Sequence, residues 1–288
     1  MVRDYGHPLL FGAFLTPSAA VGDRIVELVA WCESIGLDLV TFQDHPYQPR
    51  FLETWTLLSF VAARTMRIRL APNVANLPLR HPALLARAVA SLDRLTHGRV
   101  ELGIGAGFFW DAIEGMGGRR LAPQEAVAAL SEALDILRSL WDTSRFQFVT
   151  YEGEYYGLPG TQPGPSPAHP VSIWIGGYRR RMLRLIGEKG DGWLPSLAYL
   201  ESLDDLAKGN RIIDESAGHA GRDPSEIRRL LNISGRFTSR SRGLLDGPPL
   251  DWVEQLTELA LRDGVSAFIL ASDDRTTLER FAKDVAPA

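Results

Sequence analysis

Short unbroken apolar runs alternate along the chain with longer stretches in which apolar residues recur every three or four positions. The runs fall at 9–15, 38–43, 68–74, 100–104, 172–175, 192–194, 230–234 and 266–270, bounded by Gly, Pro, Asn or Asp. Runs without polar alternation mark strands buried on both faces, as in a parallel sheet. The segments between them have helical spacing and usable ends. Within 23–34, Ile25, Leu28, Val29 and Cys32 share one face. Pro82 opens a helix at its first turn, where a missing N–H costs nothing, and Gly98 closes it. Pro123 opens another that runs to Trp141, with Val127, Leu130, Leu134, Ile136, Leu137 and Leu140 inside. Asp223-Pro224-Ser225-Glu226 predicts a short helical turn before the seventh strand.

Eight strands and about eight helices in strict alternation predict parallel strands joined by right-handed crossovers. Units of this length fit an α/β fold closed into a (β/α)8 TIM barrel, one domain over 1–288. An open doubly wound sheet uses the same units but calls for a glycine cluster after the first strand. Leu15-Thr16-Pro17-Ser18 has none. One stretch breaks the rhythm, an insertion at about 144–170 between the fourth helix and the fifth strand. In it, Phe146-Gln147-Phe148-Val149-Thr150-Tyr151 and Glu154-Tyr155-Tyr156 flank Glu152-Gly153, which predicts a hairpin, and a Pro/Gly loop follows at 159–170.

Composition narrows the function. The chain of 288 residues carries a formal charge of −4. That balance offers no basic footprint for nucleic acid. No apolar run approaches the ~18 residues of a membrane span. The first residues lack the apolar core of a secretory signal, so a cytoplasmic location is the expectation. Cys32 is the sole cysteine, which excludes an intrachain disulfide and predicts a small buried hydrophobe. None of the six histidines is paired at metal-ligand spacing, so no metal site is expected.

In a barrel the chemistry sits where the strands end at their C-terminal tips. Asp44-His45 follows the second strand, and a carboxylate beside a histidine can orient the ring or hold its proton. Gly103-Ile104-Gly105-Ala106-Gly107 does not fit the dinucleotide fingerprint; glycines here leave room for close approach of a planar ligand. At Gly176-Gly177-Tyr178-Arg179-Arg180-Arg181 a strand turns into a helix whose N-terminus is rich in arginine, a setting for an anion such as phosphate. Phe108, Phe109 and Trp110 form a row at the fourth strand's end, a wall for an apolar, flat ligand or simply core. No nucleophile elbow or phosphate-binding P-loop occurs.

In this order and spacing, several motifs resemble the luciferase-like superfamily of flavin- and deazaflavin-dependent oxidoreductases. They are Gln43-Asp44-His45, Ala71-Pro72-Asn73-Val74 with His81-Pro82-Ala83, and His97-Gly98-Arg99-Val100-Glu101-Leu102 running into the glycine segment. Tyr151-Glu152-Gly153-Glu154-Tyr155-Tyr156, Ile175-Gly176-Gly177 and Gly190-Asp191-Gly192-Trp193 complete the set. The resemblance spans nearly the whole chain and implies a (β/α)8 barrel with the cofactor ring across its mouth. It places Asp44 and His45 at the reacting face. It places Asn73 and Val74 at a non-prolyl cis peptide bulging against the ring, and Ala106 and Gly107 at the ring's edge. Gly176, Gly177, Tyr178 and Arg179 fall at the cofactor phosphate. The pattern is closer to the branch using deazaflavin (coenzyme F-420) for hydride transfer than to the monooxygenases using reduced FMN. A non-catalytic flavin-binding barrel is the alternative of a different class. Sugar-phosphate dehydrogenases of the deazaflavin branch have Glu where this chain has Phe108, and Trp where it has Pro49. That departure, with Phe108, Phe109 and Trp110, points to a small, apolar organic substrate, and the resemblance implies a possible homodimer.

Overall fold

A computed structural model describes residues 4–144 and 147–287. In chain order the strands are β1 Leu10–Leu15, β2 Leu39–Phe42, β3 Arg69–Pro72, β4 Ala75–Asn76, β5 Leu102–Gly105, β6 Val149–Glu152, β7 Gly157–Thr161, β8 Ile173–Ile175, β9 Gly192–Trp193, β10 Arg228–Ile233, β11 Arg236–Phe237, β12 Asp246–Gly247 and β13 Val265–Ala271. The helices are α1 Gly22–Ser34, α2 Thr54–Ala62, α3 Pro82–Leu95, α4 Trp110–Gly115, α5 Pro123–Trp141, α6 Arg180–Lys189, α7 Asp204–His219, α8 Pro249–Asp263 and α9 Arg275–Arg280.

The main sheet runs β3-β2-β1-β13-β10-β9-β8-β5-β4, and all of its pairings are parallel. β3 and β4 are two halves of one strand, broken at Asn73–Val74, whose peptide bond is cis. A bridge from Leu70 to Val100 closes the circle, with Leu70 N donating to Arg99 O at 2.9 Å and Glu101 N to Leu70 O at 3.0 Å. The result is the predicted (β/α)8 barrel. Its eight strands fall on the eight apolar runs because strands buried on both faces are predominantly apolar, with few polar positions to interrupt the pattern.

Two apolar layers result. Leu39, Ala71, Trp174, Leu194, Leu230, Ala267 and Ile269 fill the barrel interior, with Leu10, Phe14 and Val74 packed on them. The larger layer, between strands and helices, includes Cys32, buried and free. Trp174 has its interior place because β9 has a glycine beside it: a Cβ on Gly192 would lie 2.5 Å from the indole. α3 ends as predicted, with Gly98 at φ +89° and its N–H returned to Asp93 O at 2.9 Å.

The insertion is a hairpin, β6 against β7, but its turn lies later than the sequence indicated. Glu154, Tyr155 and Tyr156 form the turn, not the second strand. The cause is Glu132 on α5, whose carboxylate accepts the amides of Glu154 at 2.8 Å and of Tyr155 and Tyr156 at 3.0 Å. Phe146, expected in the first run, lies outside the described residues. The parallel β11–β12 pair after the seventh barrel strand was not foreseen.

The N-terminal face of the barrel carries an ionic cluster. Asp93 is buried and accepts the amides of Val100, Ala168 and His169 and the His169 ring at 2.9 Å. Hydrogen bonding to Asp93, and then to Glu101, raises the His169 pKa to about 9. A folded pKa above the unfolded one means that stability from the charged ring is complete below about 6.5 and is lost as pH rises through about 9. The melting temperature is expected to fall across that interval, and His169→Gln to flatten the fall. The same slope in both proteins would contradict the assignment.

Candidate active site

The C-terminal mouth collects the strand-end residues. Asp44, just past β2, is fully buried. Its carboxylate takes Arg80 Nε at 2.6 Å and Arg80 Nη2 at 2.7 Å, and accepts Asn76 N at 2.9 Å. Arg80 also pairs with Glu53, whose side chain caps the start of α2. This clamp ties the loop after β2 to the loop after β4. It corrects one expectation: Asp44 makes no hydrogen bond to the His45 ring. Its two oxygens are occupied, and it acts on His45 through charge alone.

The His45 ring has no hydrogen-bond partner among the described residues. It stacks on Tyr47, with centroids 5.3 Å apart, and meets Phe109 edge-on at 5.4 Å. Burial lowers its pKa, and the nearby Asp44 charge opposes that shift only in part. The shift favours the neutral imidazole near pH 7 in this partly buried aromatic surround.

The three aromatics after β5 separate. Phe109 packs on His45 and Tyr47, and Phe108, 79% exposed, stands edge-on to Phe109. Trp110 departs from the predicted row. It opens α4 and folds back over Gly107, where its ring would lie 2.9 Å from an added Cβ. Gly107 itself has φ +100°, a backbone that glycine alone adopts easily. Ala106 is buried at a cavity of about 120 Å³, lined also by Leu77, Pro78 and Leu121 and closed by Tyr155 and Tyr156 of the insertion turn.

The other glycines of this segment serve the protein's own chain, a correction to the expectation of a planar ligand there. A Cβ on Gly103 would meet Pro72 O at 2.1 Å, and one on Gly105 would meet Val74 Cγ2 at 2.7 Å. Gly176 lies under the same Val74, at 3.4 Å. The broken third strand thus pushes Val74 into the barrel mouth, and three glycines accommodate it. Gly177 makes room for Met182, whose Cγ would lie 2.3 Å from a Cβ there.

A polar chain that sequence reading missed crosses the mouth. Asn73 Nδ2 donates to Thr41 Oγ1 at 3.1 Å and to Asn232 Oδ1 at 2.7 Å. Asn232 Nδ2 donates to Asn73 Oδ1 and to Ser196 Oγ, both at 3.1 Å. Ser196 N then donates to the Tyr178 hydroxyl at 2.7 Å. The signal was present: Thr41 and Asn232 are polar residues inside apolar strand runs, and a buried amide there requires partners. Beyond Tyr178, α6 begins with no capping side chain and no acid in its first turn. Arg181 donates to Gln124, while Arg179 and Arg180 form no ion pair among the described residues.

With this geometry in hand, comparison with known proteins is decisive. The model of the luciferase-like monooxygenase family matches residues 5–237. The chain belongs to that family. An F420-dependent glucose-6-phosphate dehydrogenase from Kineococcus radiotolerans is 33% identical over 253 residues, spanning 82% of this chain and 71% of the relative. Among solved structures, an F420-dependent secondary alcohol dehydrogenase in complex with an F420–acetone adduct superposes with a TM-score of 0.84 at 17% identity, over 97% and 98% of the two chains. The oxygenating constituent of a 3,6-diketocamphane monooxygenase from Pseudomonas putida, in complex with FMN, gives 0.79 at 21% identity over 98% of both chains. This luciferase-like chain is accordingly an oxidoreductase of the flavin- or deazaflavin-dependent kind. Among its described residues no helix is long and apolar enough to cross a membrane.

Proposed function

We propose that this luciferase-like protein moves a hydride between deazaflavin (coenzyme F-420) and a small apolar organic substrate, with His45 handling the accompanying proton. The observation that carries the reading is the neutral, unpartnered His45 ring set in an aromatic wall at the barrel mouth. The mouth suits a flat cofactor: Val74 forms a raised apolar seat over three glycines, and the buried Asn76 Oδ1 nearby has no partner. Asn73, Val74, Ala106 and Gly107 would border the ring. Gly176, Gly177, Tyr178 and Arg179 would hold its phosphate at the uncapped start of α6. When bound, deazaflavin supplies hydride chemistry at carbon and no oxygen activation.

The residues of the chain do the rest. His45 takes a proton from a substrate hydroxyl, or returns one to a substrate carbonyl, at an imidazole nitrogen. Asp44, held by Arg80, favours the charged ring electrostatically without leaving its own partners. Phe109 and Tyr47, packed beside His45, keep water from the reacting group, and with exposed Phe108 they select for apolar surface.

F420-dependent proteins stand among the similar ones both by sequence and by structure, which supports deazaflavin. The FMN-containing neighbour supports the second reading, a reduced-FMN monooxygenase. A sugar phosphate is disfavoured by Phe108, an exposed phenyl ring after β5 that offers a polar substrate no hydrogen-bond partner. Phe108→Glu is expected to raise KM for apolar substrates about tenfold or more, since it replaces apolar contact with a charge that must be desolvated. Unchanged KM and kcat across a panel of apolar alcohols and ketones would overturn the apolar assignment.

A further inference from the structure

At the N-terminal end of the barrel, opposite the candidate site, residues 4–9 cross the strand starts before β1 begins. Tyr5 and His7 are half-buried, while Asp4, Gly6 and Pro8 are exposed. Among the described residues no backbone–backbone hydrogen bond ties residues 4–8 down. Side chains do so instead. The Tyr5 hydroxyl donates to Asp214 of α7 at 3.0 Å, and the guanidinium of the buried Arg229 stands 4.3 Å from the Tyr5 ring centroid. Arg228 Nη1 donates to Pro8 O at 2.9 Å. The His7 ring sits between these anchors, and its Nε2 is buried without a hydrogen-bond partner.

A bare imidazole nitrogen can take a proton, but a proton on this one would find no acceptor. The charges around it also oppose one. Arg228 and Arg229 on β10 face the ring; Asp4, on the segment itself, is the acid in range, and the Ser225 backbone before β10 bonds the ring. Beyond them, Asp214 already binds Tyr5 and Arg229, and Arg69 and Glu101 lie against Arg228. We infer that residues 4–9 form a strap that docks on the barrel floor while His7 is neutral and releases when its Nε2 is protonated. Burial, aided by the two arginines, holds the docked ring's pKa below 6.5 against the Ser225 bond and the Asp4 charge. A released ring titrates near its ordinary value of about 6.5. A docked pKa below the free one means that docking is complete above about 6.5 and weakens as pH falls through the docked value. The sense is opposite to that of His169 on the same face, whose contribution is lost toward alkaline pH.

Hydrogen–deuterium exchange of the full chain, resolved by mass spectrometry to a peptide over residues 4–11, tests the strap. Its protection, corrected for the intrinsic exchange rate, is expected to fall roughly three- to tenfold from pH 7.5 to pH 5 in the wild type. His7→Gln and His7→Leu, which cannot take the proton, should show no such fall, and a peptide over α5 should hold steady in all three proteins. An NMR titration of the wild type reads the same event directly: the His7 ring should titrate below pH 6.5, with the Tyr5 ring resonances following its curve. Level protection in the wild type overturns the inference. So does an equal fall in folded His7→Gln or His7→Leu. Where neither variant docks at pH 7.5, Tyr5 resonances that follow the His7 titration support the strap, and ones that ignore it overturn it. No cofactor enters the experiment, so its outcome is separate from the flavin-type reading.

Discussion

His45→Ala is expected to keep cofactor affinity within about twofold and to lower turnover by roughly 10²–10⁴-fold, the range for loss of a positioned acid–base group. The ring has no hydrogen bond to lose, so its removal breaks no internal network; it leaves space beside Tyr47 and Phe109. The pH profile separates a chemical role from a packing one. Burial lowers the His45 pKa below 6.5, so the neutral ring that accepts a proton is lost only at acid pH. In the oxidative direction kcat/KM of the wild type should fall below that pKa, and the inflection should vanish in the variant. Undiminished turnover in His45→Ala would favour a barrel that binds flavin without using this histidine.

The second large effect concerns Arg80. Arg80→Met removes both donors from a fully buried Asp44 and leaves its charge compensated only by the Asn76 amide. Breaking a buried pair on one side costs ~3–5 kcal/mol. For a chain of this size the melting temperature should drop by roughly 10 °C or more. Removing the charge as well, in Asp44→Asn/Arg80→Met, should recover much of the loss. Equal melting temperatures for Arg80→Met and the double variant would show that the pair does not hold the two loops together. Turnover should fall in Arg80→Met as well, because His45 follows Asp44 directly on the loop that the clamp fixes.

The barrel was legible because its strands are mostly apolar on both faces and its major helices are amphipathic, so two periods alternate. Gly98 and Pro82 marked the ends of α3 for backbone reasons that need no tertiary knowledge. The hairpin turn was misplaced because its position is set by Glu132, a residue on another element. Of the candidate site, the positions were legible where a motif sits at a strand end: Asp44-His45 and Gly176-Gly177 lie just past β2 and β8. Its wiring was not. Arg80 reaches Asp44 across 36 positions, and Asn232 reaches Asn73 across 159. Hydrogen bonds at such separations leave no local periodicity. Gly103 and Gly105 carried the opposite lesson: they suggested space for a ligand, and Pro72 and Val74 fill it.

The claim at the centre is that the mouth receives deazaflavin for hydride transfer. The measurement that tests it most directly is a fluorescence titration of the purified protein with coenzyme F-420 and FMN in parallel. Micromolar or tighter binding of F-420, with FMN far weaker, is the predicted result. Tighter binding of FMN would contradict it and turn the chemistry toward oxygen, and binding of neither would leave the barrel without its assigned cofactor.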